Sequence, residues 1–317
     1  MTKPLLVVES PTKVKTLKKY LGKNFNIAAT VGHLKDLPAK EMGIDVENGF
    51  KPDYHSIPGK QRVIKGLKQS ARDTSHVYLA PDPDREGEAI AWHAAEILKK
   101  KGRKFYRVLF HELTENAIRE AIATPQDLDN NKYEAQQARR ILDRLVGYHI
   151  SPLLWRKVKG GLSAGRVQSV ALRIICERER AIQAFEPVEY WSITAHLEGD
   201  TPPPFTAKLV KKKGKKITIS DGEAAEEILK GLEDRQYVVD TVQKKVTKRN
   251  PLPPFTTSKL QQDAIRKLRF SAKKTMLIAQ QLYEGIELGP GESVGLITYM
   301  RTDSTRIAME AAVEALN

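Results

Sequence analysis

Three acidic residues stand at alternate positions directly after an apolar run with strand character. The stretch HVYLAPDPDREGEAIAWH, residues 76–93, carries carboxylates at Asp82, Asp84 and Glu86. Alternate residues of an extended chain face the same side, so these three groups could act together. Divalent cations such as Mg²⁺ prefer oxygen ligands of this kind and bridge them to phosphate oxygens. On these residues alone a solvated turn is the alternative. A calcium loop is excluded, because its twelfth position must be Glu and is His93 here.

Alternating strands and helices would position these acids. Because each predicted strand is followed by a helix, the pattern predicts a parallel sheet, whose ligands gather at the carboxyl ends of the strands. Glu9 ends the first predicted strand and would join the acids at that edge. Lys13 lies at the start of the next helix, where an anion is favoured. The predicted strands are residues 4–10, 76–80 and 105–110, and the predicted helices are residues 10–22, 86–102 and 113–125.

A second group of reactive side chains lies in GLITYMRTDST, residues 295–305. If residues 294–300 form a strand, Tyr299 and Arg301 share one face. A tyrosine with a pKa near 10 is a poor nucleophile at neutral pH, although a neighbouring guanidinium would stabilise charge on a phosphate. A lone tyrosine in a strand is more often a packing residue. The residues alone leave both interpretations open.

Composition narrows the class of partner. The chain has 317 residues with 53 Lys and Arg against 39 Asp and Glu, a formal charge of +14, which favours a polyanion such as nucleic acid. The single cysteine, Cys176, excludes a disulfide framework and a zinc ribbon within these residues. Basic residues interrupt every apolar run, and no secretory signal is present. We therefore expect a cytoplasmic protein that does not enter a membrane.

The remainder of the chain predicts further helices around a β-rich stretch. Residues 189–249 are expected to be mostly strands, with a turn at KKKGKK and one helix at residues 224–232. A helical pattern reaches residue 317 with nothing following to pack against, which predicts a truncated chain. The other predicted helices are residues 131–150, ended by Pro152, then 166–185, 256–270 and 272–285, with a proline-rich linker at 251–255.

Six blocks of sequence, taken in order, resemble the bacterial topoisomerase I group of the type IA DNA topoisomerase family. They cover the chain from residue 5 to about residue 306, and the region 201–248 carries no recognised signature. The blocks are ESPTKVKTLKKYLG, VGHLKDLP, LAPDPDREGEAIAWH, QQARRILDRLVGYHISPLLW, GLSAGRVQSVALRIICERER and LITYMRTDST.

The resemblance implies an α/β Toprim domain, a parallel sheet flanked by helices, followed by α+β segments of the type IA core that are incomplete at the C-terminus. The implied domains are a Toprim metal-binding domain at 1–115, a helical DNA-binding segment at 129–190, a β-rich arch segment at 191–250 and a truncated helical domain with the nucleophilic tyrosine at 251–317.

The implied reaction cleaves and rejoins one strand of DNA and relaxes negatively supercoiled DNA. Tyr299 is the implied nucleophile and would leave a 5′-phosphotyrosyl bond and a free 3′-hydroxyl. Glu9 would carry the proton of the leaving oxygen, and Lys13 and Arg301 would stabilise the transferring phosphate. The chain contains no G-x-x-x-x-G-K-[ST] motif, which agrees with a reaction that needs no ATP. The implied Mg²⁺ ligands are Glu9, Asp82, Asp84 and Glu86.

DNA, single-stranded or underwound, is the implied partner of a monomeric enzyme. Arginine suits phosphate binding, and tyrosine and tryptophan offer stacking faces. Three alternatives stay open: another Toprim enzyme such as a nuclease or primase, a non-enzymatic nucleic-acid binder, and a decatenase like topoisomerase III. The implied DNA-binding residues are His33, Arg139, Arg140, Asp143, Tyr148, Trp155, Ser163, Ala164, Gly165, Arg166, Val167, Gln168 and Arg301.

Overall fold

The computed structural model describes residues 3–289, 293–307 and 309–315. The chain divides into two compact units. The first unit comprises Met1–Ser169 and Pro251–Asn317, and the second unit comprises Val170–Asn250. Among the described residues, no helix combines the length and the apolar content that crossing a membrane requires.

The first unit begins with alternating strands and helices, and the second unit combines helices with two short hairpins. The strands are β1 (Leu5–Val8), β2 (Asn26–Ala29), β3 (Lys35–Asp36), β4 (Ile44–Asp45), β5 (Lys51–Pro52), β6 (His55–Ser56), β7 (His76–Ala80), β8 (Lys104–Arg107), β9 (Thr194–Leu197), β10 (Phe205–Lys208), β11 (Lys211–Lys212), β12 (Lys215–Lys216), β13 (Ile286–Glu287) and β14 (Ser293–Val294). The helices are α1 (Pro11–Leu21), α2 (Gln61–Ser70), α3 (Arg85–Leu98), α4 (Glu115–Ala123), α5 (Asn130–Lys157), α6 (Arg166–Gln183), α7 (Gly222–Leu232), α8 (Thr257–Leu268), α9 (Ala272–Glu284) and α10 (Met309–Glu314).

A four-stranded parallel sheet with the order β2-β1-β7-β8 forms the centre of the first unit. The predicted α/β fold with a parallel sheet is therefore confirmed. Its two central strands, β1 and β7, pair in register with Leu5 beside Val77 and Val8 beside Ala80. Both strands end at the same edge, and the sequence places acidic residues directly after each of them.

Helices cover both faces of this sheet. Leu6 and Val8 point to the face covered by α1, α4 and α9, while Leu5 and Val7 point to the face covered by α2 and α3. All four side chains are fully buried, and each contributes about 1.5–3 kcal/mol by leaving water. The first cluster also contains Tyr299, so the segment carrying this tyrosine packs directly onto the sheet.

Two expectations for the first unit were wrong. Helix α5 does not end before Pro152 but continues through it to Lys157. A proline inside a helix removes one hydrogen bond. Helix α5 packs along α3, and next to the proline Ser151 accepts a hydrogen bond from the Ala164 N–H, so tertiary contacts support the helix on both sides of this loss. Residues 295–301 do not form a strand either, because only β13 and β14 pair in that region. The backbone of Tyr299 is instead held by a hydrogen bond from its N–H to the His111 carbonyl at 2.8 Å.

The second unit has fewer strands than expected. Hairpin β9–β10, hairpin β11–β12 and helix α7 are present, and the turn predicted at KKKGKK joins β11 to β12. Residues 233–250 contain no strand, which contradicts the expectation of a mostly β segment. Valine and tyrosine in that stretch give local β propensity, but no described neighbouring strand pairs with it.

Candidate active site

The ends of β1 and β7 and the first turns of two helices build one polar site. Glu9 follows β1, and Ser10 caps α1 by accepting a hydrogen bond from the Lys13 backbone N–H at 3.3 Å. Asp84 caps α3 in the same way, since its Oδ1 accepts from the Gly87 N–H at 2.8 Å. Both helix N-termini therefore point their partial positive charge at the edge where the acids lie.

Lys13 is fully buried and pairs with Asp82. Its ammonium contacts Asp82 Oδ1, and it also lies 4.9 Å from the centre of the Tyr283 ring. A buried ammonium is stable only with such partners, because desolvation disfavours an unpaired charge. The sequence prediction that Lys13 lies at this edge agrees with its position.

Tyr299 and Arg301 converge on Asp84. The Tyr299 hydroxyl donates to Asp84 Oδ2 at 2.5 Å, and Arg301 Nη1 donates to the same oxygen at 3.1 Å. The two residues come together although they do not share a strand. The carboxylate that caps α3 is thus also the acceptor for the tyrosine proton, and sequence reasoning did not assign that contact.

The Tyr299 ring is almost completely buried, with 6% of its surface exposed. It packs edge to face on Tyr283, with ring centres 5.2 Å apart, and the Tyr283 hydroxyl donates to the Phe110 carbonyl at 2.5 Å. Burial raises the pKa of Tyr299 far above its ordinary value, and the contact with Asp84 raises it further. The hydroxyl therefore stays protonated until a base takes the proton.

Glu9 lies in a field of negative charge. Burial raises the pKa of Glu9 above its ordinary value, and the nearby charges of Asp82 and Asp84 raise it further, while Lys13 opposes them. A carboxyl group with a raised pKa can carry a proton closer to neutral pH, which is the property needed of a general acid.

Arg107 holds the loop between β7 and α3 in place. Its guanidinium is buried, pairs with Glu88 at 2.8 Å, and donates to the carbonyls of Pro81 at 3.0 Å and Asp82 at 2.7 Å. The other oxygen of Glu88 accepts from the Asp129 N–H at 2.9 Å, which ties the start of α5 to the same loop. Neither residue was predicted to belong to the site, because only the fold brings β8 beside α3.

Helix α9 adds two more polar groups that were missed. Gln280 Nε2 donates to Asp82 Oδ2 at 3.2 Å and to Glu284 Oε1 at 2.8 Å. A cavity of about 690 Å³ lies here, lined by Glu9, Asp82 and Arg301 together with α9 residues. The spacing of four residues between Gln280 and Glu284 places both on one helix face, which is the signal that the sequence offered.

The four predicted metal ligands do not lie together as one ready set. Among the described residues, no group of three or more His, Cys, Asp or Glu side chains has the closeness that a metal ion requires. Three of these carboxylates instead have a partner each: Asp82 contacts Lys13, Asp84 accepts from the Tyr299 hydroxyl, and Glu86 pairs with His33 at 3.3 Å. The donor chemistry still fits Mg²⁺, because Glu9, Asp82 and Asp84 offer oxygen ligands, and the nearby charges of Asp82 and Asp84 raise the pKa of Glu9.

Glu86 faces a second cavity that carries part of the predicted DNA path. Its hydrogen bond with His33 lowers the pKa of Glu86. The cavity measures about 240 Å³ and is also lined by Arg139, Arg140 and Asp143. Arg140 forms two hydrogen bonds with Asp36, at 2.9 and 2.7 Å. Arginine and histidine side chains therefore meet at one opening, as a phosphate-binding surface would need.

A third cavity, of about 620 Å³, continues from Arg140 and Asp143 along α5 to Trp155. Tyr148 donates to the Ala39 carbonyl at 3.0 Å, and Trp155 donates to the Leu162 carbonyl at 2.5 Å. Both rings keep exposed faces. Of the remaining predicted residues, Ser163 and Ala164 line the cavity, Arg166 pairs with Asp143, Gln168 bonds to Ser163, Gly165 is half-buried, and Val167 is exposed.

Comparison with known proteins agrees with this geometry. A model of the Toprim domain matches residues 4–113, and a model described as DNA topoisomerase matches residues 127–317. The chain belongs to the DNA topoisomerase family. The resemblance carried by the six sequence blocks is thereby confirmed.

A solved relative extends the comparison to three dimensions. The full-length topoisomerase I from Thermotoga maritima is 45% identical, matches 98% of this chain and superposes with a TM-score of 0.85. The matched part is 51% of the Thermotoga maritima chain, so the present topoisomerase chain spans about half the length of that relative.

Proposed function

We propose that this chain cleaves and rejoins one strand of DNA through a covalent bond to Tyr299. The observation that carries the proposal is the 2.5 Å hydrogen bond from the Tyr299 hydroxyl to Asp84, with Arg301 on the same carboxylate. A nucleophile in contact with a base and beside a guanidinium is the arrangement that phosphoryl transfer needs.

The proton transfers balance within three residues. As the Tyr299 oxygen bonds to phosphorus, its proton passes to Asp84, which already accepts the hydrogen bond. The bond between phosphorus and the 3′-oxygen breaks, and Glu9 supplies a proton to that oxygen. The raised pKa of Glu9 supports this role, because the group holds its proton closer to neutral pH. Rejoining runs through the same steps in reverse.

Lys13 and Arg301 supply positive charge to the transferring phosphate. Lys13 is buried and paired with Asp82, so its side chain is already fixed in one conformation. Arg301 is more exposed and can be reached by an incoming strand. Charges fixed in a site that excludes water stabilise the transition state more than mobile charges do. The energy of the broken bond is kept in the phosphotyrosyl link, and no ATP is required.

Mg²⁺ is the cofactor proposed for the acidic edge. Glu9, Asp82, Asp84 and Glu86 would hold it, and when bound it would supply positive charge that aligns the DNA backbone. The proposed path of the single strand runs over His33, Arg139 and Arg140 and on past Tyr148, Trp155 and residues 163–168. The whole enzyme is proposed to relax negatively supercoiled DNA as a monomer in the cytoplasm.

Covalent trapping tests the proposal. A labelled single-stranded oligonucleotide is incubated with the chain, with and without Mg²⁺, and the mixture is denatured rapidly. We expect a protein-linked fragment with the wild type and none with Tyr299→Phe. Tyr106→Phe is the matched control, since it removes a hydroxyl on β8, at a position that forms none of the described contacts of the site.

The main rival is a Toprim nuclease, which would use the same acids without Tyr299. That enzyme would release cut DNA free of protein, and Tyr299→Phe would leave the cutting intact. Either result would overturn the proposed function. The buried contact of Tyr299 with Asp84 favours the transesterase, because a nuclease would have no use for it.

A further inference from the structure

The second unit carries a cluster of positive charge that the cleavage reaction does not use. Strands β11 and β12 form a two-stranded hairpin with the sequence KKKGKK, Lys211–Lys216, which we call the basic hairpin. Its five lysines are all exposed. It lies outside the six sequence blocks that carry the family resemblance, within the residues 127–317 that the family model matches.

Pairing within the basic hairpin sets like charges against each other. Lys211 lies opposite Lys216, and Lys212 lies opposite Lys215. Directly opposed side chains of an antiparallel pair stand about 5 Å apart at Cβ, so like charges there destabilise the pairing. The turn imposes this register, since Lys213 at φ 51° and Gly214 at φ 78° match the left-handed turn of a two-residue hairpin.

Among the described residues, no acidic side chain forms an ion pair with these lysines. Asp221, five residues after the hairpin, accepts from the Ala224 N–H at 2.8 Å, and Glu189 accepts from the Trp191 indole at 2.6 Å. The lysines are therefore available to an external anion.

The base of the basic hairpin is fastened to the rest of the second unit. The Leu209 N–H donates to the Ile193 carbonyl at 3.0 Å, and the Trp191 N–H donates to the Ile219 carbonyl at 2.9 Å. Ile219 is buried, with 4% of its surface exposed. The lysines thus project from an anchored ribbon and not from a free loop, which lowers the entropy lost when they bind a partner.

We infer that the basic hairpin binds the phosphate backbone of double-stranded DNA. The segment Val210–Ile217 contains no aromatic side chain for base stacking and no Arg, Asn or Gln for pairing with base edges. Lysine acts as a point charge on phosphate, so contact without sequence preference follows. The inference rests on the proposed function, in which DNA is the polyanion that this chain meets.

The two faces of the ribbon set the size of the contact. Opposed residues share a face, so Lys211 and Lys216 project from one side and Lys212 and Lys215 from the other. A duplex lying against one face meets two lysines, and a duplex straddling the ribbon meets four. Each phosphate contact adds about 0.9 to the slope of log K against log salt concentration for duplex DNA.

The test compares two variants of equal charge. Lys211, Lys212, Lys215 and Lys216 are changed to Gln in one variant. The control variant carries the same change at Lys65, Lys68, Lys99 and Lys101, which are exposed residues of the first unit. Both lower the formal charge by four, from +14 to +10. Binding of a labelled 20-base-pair duplex is measured by anisotropy from low to high salt.

We expect the hairpin variant to lose about 2–4 from the salt slope, and the control to keep the wild-type slope. A Lys→Arg version of the four hairpin positions should also keep the slope, because it retains the charge. An unchanged slope in the hairpin variant would overturn the inference. Equal losses in both variants would overturn it too, because they would reflect net charge alone.

Two further measurements separate this inference from the proposed function. Covalent trapping on a short single strand should be the same in the hairpin variant and the wild type. If trapping fails in every protein while the slope difference remains, the proposed function fails and the duplex contact stands. Loss of affinity for single-stranded DNA only, or equal hairpin-dependent binding of phosphatidylserine vesicles, would refute a duplex-binding surface.

Discussion

Asp84→Asn should separate the two roles of one carboxylate. Asp84 Oδ1 caps helix α3, while Oδ2 accepts the hydrogen bonds of Tyr299 and Arg301. Asparagine caps helices about as well as aspartate, so we expect the free energy of unfolding to change by less than about 1 kcal/mol. The amide cannot take a proton from Tyr299, so formation of the covalent adduct should slow by about 10²–10⁴-fold.

The assay is single-turnover adduct formation on a labelled single strand, with urea unfolding of the same protein samples. Asp129→Asn is the matched control, because Asp129 caps α5 through the Lys132 N–H at 3.0 Å and lies outside the cleavage site. Titration with Mg²⁺ distinguishes a lost base from a weakened metal site, since only the second is rescued by excess metal. A wild-type rate in Asp84→Asn would refute the assignment of Asp84 as proton acceptor.

Three further substitutions, with Gly66→Ala as a control, probe the support of the site. Gly87→Ala should destabilise the fold by about 1–3 kcal/mol, since an added Cβ would lie 2.0 Å from the Asp82 carbonyl oxygen. Gly66→Ala in α2 meets open space and should stabilise the fold by about 0.5–1 kcal/mol. Urea unfolding measures both changes. Burial lowers the pKa of His93 to about 4, so the folded state holds this histidine neutral where the unfolded chain would protonate it. As the pH falls from 6.5 to 4, the free energy of unfolding should drop by about 3 kcal/mol. His93→Leu should flatten this pH dependence of unfolding. Arg107→Met leaves a buried carboxylate unpaired and should lower the free energy of unfolding by about 3–5 kcal/mol, and a change below 1 kcal/mol would contradict the role given to this pair.

The sheet and its first helices could be predicted because local signals and packing agree there. Leu5–Val8 is a short apolar run that becomes a central strand, and α1 ends where Gly22 adopts a positive φ of 57°. A strand of a parallel sheet is covered by helices on both faces, so it needs apolar side chains on both sides. A continuous apolar run in the sequence is therefore also what the fold requires. That Glu9 and Asp82 lie at one edge followed from the expectation of a parallel sheet, whose strands end on the same side.

The sequence could not supply contacts made only by distant segments. Pro152 predicted a helix end on local propensity, yet α5 continues because tertiary packing outweighs one missing hydrogen bond. Tyr299 reaches Asp84 without the predicted strand, across 215 positions of the chain. The contacts of Arg107 were invisible for the same reason. The spacing of Gln280 and Glu284 indicated a shared helix face but not the contact of Gln280 with Asp82.

The burial of the Tyr299 segment has a consequence for the handling of a broken strand. Tyr299 and Met300 belong to the same apolar cluster as Leu6 and Val8 of the central strand. Pulling the nucleophile away from Glu9 would therefore expose part of the core of the domain to water. Under the proposed function, this exposure would favour the closed junction, so a severed end would stay beside its partner until the cost of opening is met.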